Sequence, residues 1–266
     1  MADAKFRVGC SGWSYKDWAG IFYPKDLPQR DYLKFYSKVF DCVEIDSSFY
    51  RVPNASMISA WRTGTPDGFL FSPKLPKKIT HENKLLNSQG QLAYFYSVMS
   101  KMGSKFGPIA IQLPPSVKVS THWNAMKDFV SLLDPKFRHA IEFRHKSWFA
   151  PETYELLRKN NLAMIWALNQ YVETPPELTA DFIYVRMVGD RAITEFTGKQ
   201  RDRTEEMKKW SGSVKDASDK VEDAFIFFNN HFAGFSPESA NEFRRLLGMM
   251  ELEWKSEGTT QQTLFG

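Results

Sequence analysis

Short apolar runs alternate with amphipathic stretches along the whole chain, and that alternation predicts the architecture. The runs Phe6–Cys10, Cys42–Asp46, Phe69–Lys74, Ile109–Leu113, Ala140–Arg144, Leu162–Ala167, Phe182–Met187 and Ala224–Asn229 have the length and apolar content of buried strands. Between them, apolar positions spaced as on one helix face predict helices at Arg30–Phe40, Ala55–Arg62, Gln91–Met102, Trp123–Leu133, Pro151–Asn160, Thr204–Lys220 and Pro237–Met250. After Ala167 the pattern leaves little room for a helix, because Pro175-Pro176 removes backbone donors and clashes with a preceding turn. Several ends carry chemical markers. Ser236 is expected as an N-cap ahead of Pro237, Pro151-Glu152 opens another helix, and Asp134-Pro135 closes the one before strand five.

Strands and helices in strict alternation place the chain in the α/β class. Eight such repeats predict a (β/α)8 TIM barrel, a single domain over residues 1–255. A polar tail over 256–266 follows and is expected to fray. A doubly wound open sheet is the competing arrangement, but it would carry a Gly-rich turn opening a helix after strand one. Here Gly9 to Gly12 lead into Trp13-Ser14-Tyr15, which reads as a loop.

Composition narrows the function classes. The 266 residues carry 35 Lys+Arg against 31 Asp+Glu, a formal charge of +4; this balance permits an anionic partner without requiring one. No N-terminal signal-like segment and no apolar run of membrane-spanning length occurs, so neither secretion nor a membrane partner is expected. Cys10 and Cys42 are the only cysteines, which is no disulfide framework, and a cytoplasmic location is expected. The aromatic content is high, with 22 Phe, 10 Tyr and 8 Trp. Most of the Phe fall in apolar runs and belong to a core. Trp13, Tyr15, Trp18 and Tyr23 lie outside those runs, where rings can instead stack on sugars or bases.

The candidate chemistry lies at the strand ends. Alternate side chains of a strand face opposite sides. Val43 and Ile45 therefore share one face, and Cys42, Glu44 and Asp46 the other; Ile141 and Phe143 oppose Glu142 and Arg144. The same parity pairs Ser72 with Lys74, Ala110 with Gln112, Tyr184 with Arg186, and Phe227 with Asn229. If the apolar face packs beneath the helices, Glu44, Lys74, Gln112, Glu142, Arg144, Arg186 and Asn229 all point into the barrel near its C-terminal mouth, where barrel enzymes place their chemistry. A purely structural network is the alternative, since Glu44, Asp46 and Glu142 balance Lys74, Arg144 and Arg186. Buried ion pairs add little net stability, however, which favours a binding or catalytic cup.

The loops extend this cup. Tyr50 follows strand two, His145 follows strand five, and strand eight ends Asn229-Asn230-His231 ahead of the last helix, whose first backbone N–H groups can hold an anion. The loop after strand seven offers Asp190, Arg191, Lys199, Arg201 and Arg203, at the usual phosphate side of such barrels. His145 is the candidate for proton transfer. No histidine pair has metal-ligand spacing, and no nucleophile elbow or P-loop is present.

These residues bring a family into view. Gly9-Cys10-Ser11-Gly12-Trp13-Ser14-Tyr15-Lys16-Asp17-Trp18, then Phe22-Tyr23-Pro24, resembles the opening motif of the YecE-like family, a domain of unknown function. Val43 to Tyr50, Phe71-Ser72-Pro73-Lys74 with Thr80-His81, and Gln112-Leu113-Pro114-Pro115-Ser116 resemble its next motifs. Glu142-Phe143-Arg144-His145 with Ser147-Trp148, Tyr184-Val185-Arg186 and Phe228-Asn229-Asn230 complete the series. The resemblance spans nearly the whole chain and implies a TIM barrel. One departure stands out. Many members read Arg-x-His-Gly after strand seven, where this chain has Arg186-Met187-Val188-Gly189, so no role for that histidine carries over.

The leading expectation is an enzyme acting on a small anionic substrate that bears phosphate or sugar. Lys74, Arg144 and Arg186 would hold the anion. Glu44 and Glu142 would act as acid and base, or as ligands of a divalent metal; no organic cofactor is expected. Gln112, Asn229 and Asn230 would orient the ligand, with Trp13 and Tyr50 as ring contacts. The rivals are a nucleic-acid-binding or repair protein using the same cup for a backbone phosphate, and a non-catalytic ligand-binding barrel.

Overall fold

A computed structural model of the chain describes residues 4–189 and 191–254. Asp190 and the tail over 256–266 lie outside the described residues. Eight strands form one parallel sheet: β1 Lys5–Ser11, β2 Cys42–Ile45, β3 Leu70–Pro73, β4 Ile109–Gln112, β5 His139–Glu142, β6 Ala163–Asn169, β7 Phe182–Gly189 and β8 Asp223–Phe228. Their order is β3-β2-β1-β8-β7-β6-β5-β4, which wraps the sheet into a nearly closed barrel. The two ends of this order, β3 and β4, meet only through isolated bridges, Phe71 with Phe106 and Lys74 with Ala110. Two backbone bonds reinforce them, Gly107 N–H to Phe71 O at 2.8 Å and Leu75 N–H to Ala110 O at 2.9 Å. The barrel fold and single domain expected from the alternation are both present.

The helices are α1 Tyr32–Val39, α2 Ala55–Thr63, α3 Gln89–Met99, α4 Val119–Ser131, α5 Pro151–Lys159, α6 Thr204–Ala217, α7 Asn230–Ala233 and α8 Ser236–Leu246. No helix joins β6 to β7, as the Pro175-Pro176 pair implies. That connection is held instead by Trp166 Nε1, which donates to Glu177 O at 2.9 Å. One cap differs from expectation. Ser236 is not the N-cap of α8 but its first residue, and its N–H and hydroxyl both donate to Asn230 Oδ1, at 3.0 and 2.8 Å. The side chain of Asn230, brought close by the short turn of α7, takes over the capping role.

Two apolar layers result. The larger lies between strands and helices and contains Val8, Cys10, Val43, Phe71, Ile111, Ile141, Ile183 and Ile226. The smaller fills the barrel itself. Phe182, Tyr184, Phe225 and Phe227 from β7 and β8 pack there with Ala110, Ala140 and Ala163 from β4, β5 and β6, large residues on one side against small ones on the other. At the N-terminal end, Arg138 contacts Asp223 and Glu222, each at 2.6 Å, and Arg7 lies 3.6 Å from Asp223. The aromatic filling ends below the C-terminal mouth, and polar side chains occupy the space above it.

Candidate functional site

Arg186, near the end of β7, is 2% exposed and lies at the centre of these polar side chains. Its Nε and Nη2 donate side-on to the two oxygens of Glu44 from β2, both at 2.8 Å. Its Nη1 donates to Gln112 Oε1 at 3.2 Å and, at closer range, to Glu142 Oε2 of β5. Glu44 also accepts from Ser11 Oγ at 2.9 Å and from the Tyr184 hydroxyl at 2.8 Å, so each of its oxygens has two donors. Glu142 completes its set with Arg144 Nε at 2.6 Å. Burial alone would raise the Glu142 carboxyl, but Arg144, Arg186 and Lys74 outweigh it and hold the carboxyl down at about 2. Parity placed these residues on one face; the structure adds that every oxygen of the two glutamates and every guanidinium nitrogen of Arg186 has a hydrogen-bond partner.

Above this floor opens a cavity of about 320 Å³. Lys74, Gln112, Arg144, Arg186, Asn229, Asn230 and Tyr50 line it, all of them predicted from sequence, together with Asp46. Lys74 Nζ donates to Gln112 Oε1 at 3.0 Å, lies 3.2 Å from Asp46 Oδ1, and sits over the Phe49 ring at 4.9 Å. Burial lowers the Lys74 ammonium, a shift that Asp46 opposes and Arg186 adds to. Asp46 is itself held below the usual carboxylate range, because Lys74 and Arg186 together outweigh its burial. Arg144 stacks on Tyr171, 5.3 Å from the ring centre. Its side chain is 10% exposed, and beyond Nε no hydrogen bond to a described residue engages its guanidinium.

Other predicted residues sit elsewhere. His145 does not line the cavity. Its Nδ1 accepts from Ser147 N–H at 3.2 Å and pairs with Ser147 Oγ at 2.8 Å, capping its own turn. Trp13 packs edge-on against Trp61 and Phe71, with ring centres 5.3 and 6.3 Å apart, in the layer outside the barrel. Trp18 and Tyr23 are wholly buried; of the four rings outside the apolar runs, only Tyr15 lines the cavity. Of the basic side chains named on the loop after β7, Arg191 alone among the described residues does so. Lys199 pairs with Glu242 at 3.0 Å and Arg203 with Glu206 at 2.8 Å. The backbone N–H of Ser236 that was expected to receive an anion is already bonded to Asn230.

His231, which the sequence placed at the end of strand eight without a role of its own, also lines the cavity, as do Phe196 and Val188, which sequence reasoning passed over. Val188 shares the parity of Tyr184 and Arg186 on β7, whereas His231 on α7 and Phe196 in the loop after β7 lie where strand parity does not apply. The usable signal for His231 is Asn229, whose Oδ1 accepts the His231 backbone N–H at 3.1 Å, a local turn that asparagine favours. Among the described residues, no group of three or more His, Cys, Asp or Glu side chains is arranged to hold a metal ion. No helix among them is long and apolar enough to cross a membrane.

The fold and this mouth define a TIM-barrel protein with a charged cup at the C-terminal ends of its strands. The chain belongs to the family described as protein of unknown function DUF72, whose model matches residues 7–263. It is similar to UPF0759 protein YunF of Bacillus subtilis, 23% identical across 97% of this chain and 99% of that protein. It is also similar to UPF0759 protein YecE of Escherichia coli, 27% identical across 54% of this chain and 50% of that protein. Among solved structures, a DUF72 family protein from Thermotoga maritima superposes with a TM-score of 0.79 at 27% identity, covering 92% of this chain and 99% of its own. A D-psicose 3-epimerase from Clostridium cellulolyticum, solved with D-tagatose, superposes at 0.53 with 10% identity, over 91% of this chain and 95% of its own. That last likeness is one of fold.

Proposed function

We propose that the cup binds a small anion, and that the protein is an enzyme acting on a phosphate- or sugar-phosphate-like substrate there. The supporting observation is Arg144, a nearly buried guanidinium whose two terminal nitrogens make no hydrogen bond to a described residue, and which lines the cavity together with Lys74 and Arg191. A planar fork of this kind suits two oxygens of one phosphate or carboxylate. A second feature points the same way. Asn230 Nδ2, on the cavity wall, is buried without a hydrogen-bond partner, and such groups are commonly satisfied by a ligand or water. In this reading Glu44 and Glu142 fix Arg186 rather than transfer protons, and Lys74, Gln112, Arg144 and Asn230 face the ligand.

The test is calorimetric titration with inorganic phosphate and simple sugar phosphates. Binding at millimolar concentration is expected. Arg144→Ala should abolish it, whereas Lys136→Ala at the opposite end of the barrel should not. Absence of heat across the panel would remove the anion reading.

A further inference from the structure

We propose that His231 is the group that exchanges a proton with the anion in the cup, a role that rests on the anion-binding reading above. His231 lies on α7, directly after β8, and lines the cavity. Its Nδ1 is 2.7 Å from the carbonyl oxygen of Ile193. A carbonyl only accepts, so Nδ1 carries the hydrogen and Nε2 is the nitrogen left for a ligand. No described residue bonds to Nε2.

The ring is held firmly. Phe196 meets it edge-on at 5.2 Å, and Phe196 N–H in turn donates to Asp17 Oδ2 at 3.0 Å. From beneath, Gly189 at the end of β7 adopts φ +75°, and a Cβ there would lie 2.2 Å from the His231 carbonyl oxygen. The turn carrying the imidazole is therefore packed directly on the strand that carries Arg186.

Glu44, Glu142, Tyr15 and Lys74, also titratable and at the cup, are committed elsewhere. Glu44 has two donors on each oxygen, and Glu142 is held ionised by its arginines. The Tyr15 hydroxyl donates to Ser11 O at 2.7 Å, and burial pushes its ionisation well up. Lys74 is paired with Asp46. Among the described residues, the charged groups around His231 include Arg191 on its neighbouring loop, Asp17 behind Phe196, and Lys74, Arg144, Arg186 and Asp46 around the cavity. The exchange is simple to balance. A ligand hydroxyl gives its proton to Nε2, leaving a ligand oxyanion among the cations and a charged imidazole; the reverse step restores both.

Sulfate separates this role from a structural one, because it stays a dianion from about pH 5.5 to about pH 8, the range in which imidazoles change charge. In the unaltered protein, sulfate affinity should fall about tenfold across that range, as a charge-assisted hydrogen bond is lost. His231→Asn keeps a short amide donor for Ile193 O and should bind sulfate weakly, with no pH step. His231→Gln offers an amide near the Nε2 position and should bind sulfate, again with no pH step. A step that persists in either folded variant overturns the proposal. No sulfate binding at any pH in the unaltered protein overturns the anion reading instead, and this role with it. Should the variants fail to fold, ring ¹⁵N resonances of the unaltered protein decide: sulfate should move the Nε2 signal of His231, and a stationary signal overturns the role.

Discussion

Arg186 and Glu142 show how one side chain governs its neighbours. Glu142 is fully buried and accepts from two arginines, so Glu142→Ala leaves cations in the barrel without their counter-charge. Breaking such a pair costs about 3–5 kcal/mol, which urea denaturation at neutral pH would show; an unchanged midpoint would mean that solvent replaces the carboxylate. The same group sets an acid limit. Its carboxyl is held at about 2 in the fold, below the 4.5 of an ordinary glutamate. A lowered folded value contributes stability that is present above about pH 4.5 and lost as pH falls toward about 2. Denaturation midpoints measured down that range should decline, and the decline should be shallower in Glu142→Gln. These floor residues were legible in the sequence because strand parity alone aligns Glu44, Gln112, Glu142 and Arg186. Which of them stay available to a ligand was not legible, since Arg144 and Arg186 look alike in sequence and differ only in how many carboxylate and amide oxygens surround them.

Elements depend on contacts from far along the chain in the same way. The C-terminal end of α2 leaves backbone carbonyls without helical partners. Lys105, 6% exposed, reaches them and donates to Arg62 O and Thr65 O at 2.6 Å and to Thr65 Oγ1 at 3.1 Å. Lys105→Met keeps the apolar stem but strands these acceptors. A loss of about 1–3 kcal/mol is expected, readable as a lower urea midpoint, and a wild-type midpoint would show that water takes the ammonium's place. Such long-range caps explain where the predicted helix ends drifted. α4 begins at Val119, four residues before the expected Trp123, and the N–H of Val119 donates to Ser147 Oγ, at 3.1 Å, in the loop after β5. α7 spans only Asn230–Ala233, too short for any period to register. The eight strands were recognisable because each is a compact apolar run, and the gap between β6 and β7 because two consecutive prolines mark it.

At the scale of the molecule, the barrel is a sheet whose two outer strands nearly meet. Elsewhere neighbouring strands are paired by ladders, the longest being six residues of β1 on β8 and of β7 on β8. At the β3–β4 join, the backbone bonds of Gly107 and Leu75 are reinforced by a side-chain link, Lys74 Nζ to Gln112 Oε1 at 3.0 Å. A cylinder with one weak line opens along that line first, so local unfolding there takes less free energy than melting the whole domain. Hydrogen–deuterium exchange should therefore be faster at the amides of Leu75 and Gly107 than at those of β7 and β8; equal protection would show a continuous wall. Because Lys74 and Gln112 also border the cup, an anion seated on them would bridge the two sides of the weak line. Exchange at Leu75 and Gly107 would then slow as the cup fills, making the breathing of the wall a gauge of what the mouth holds.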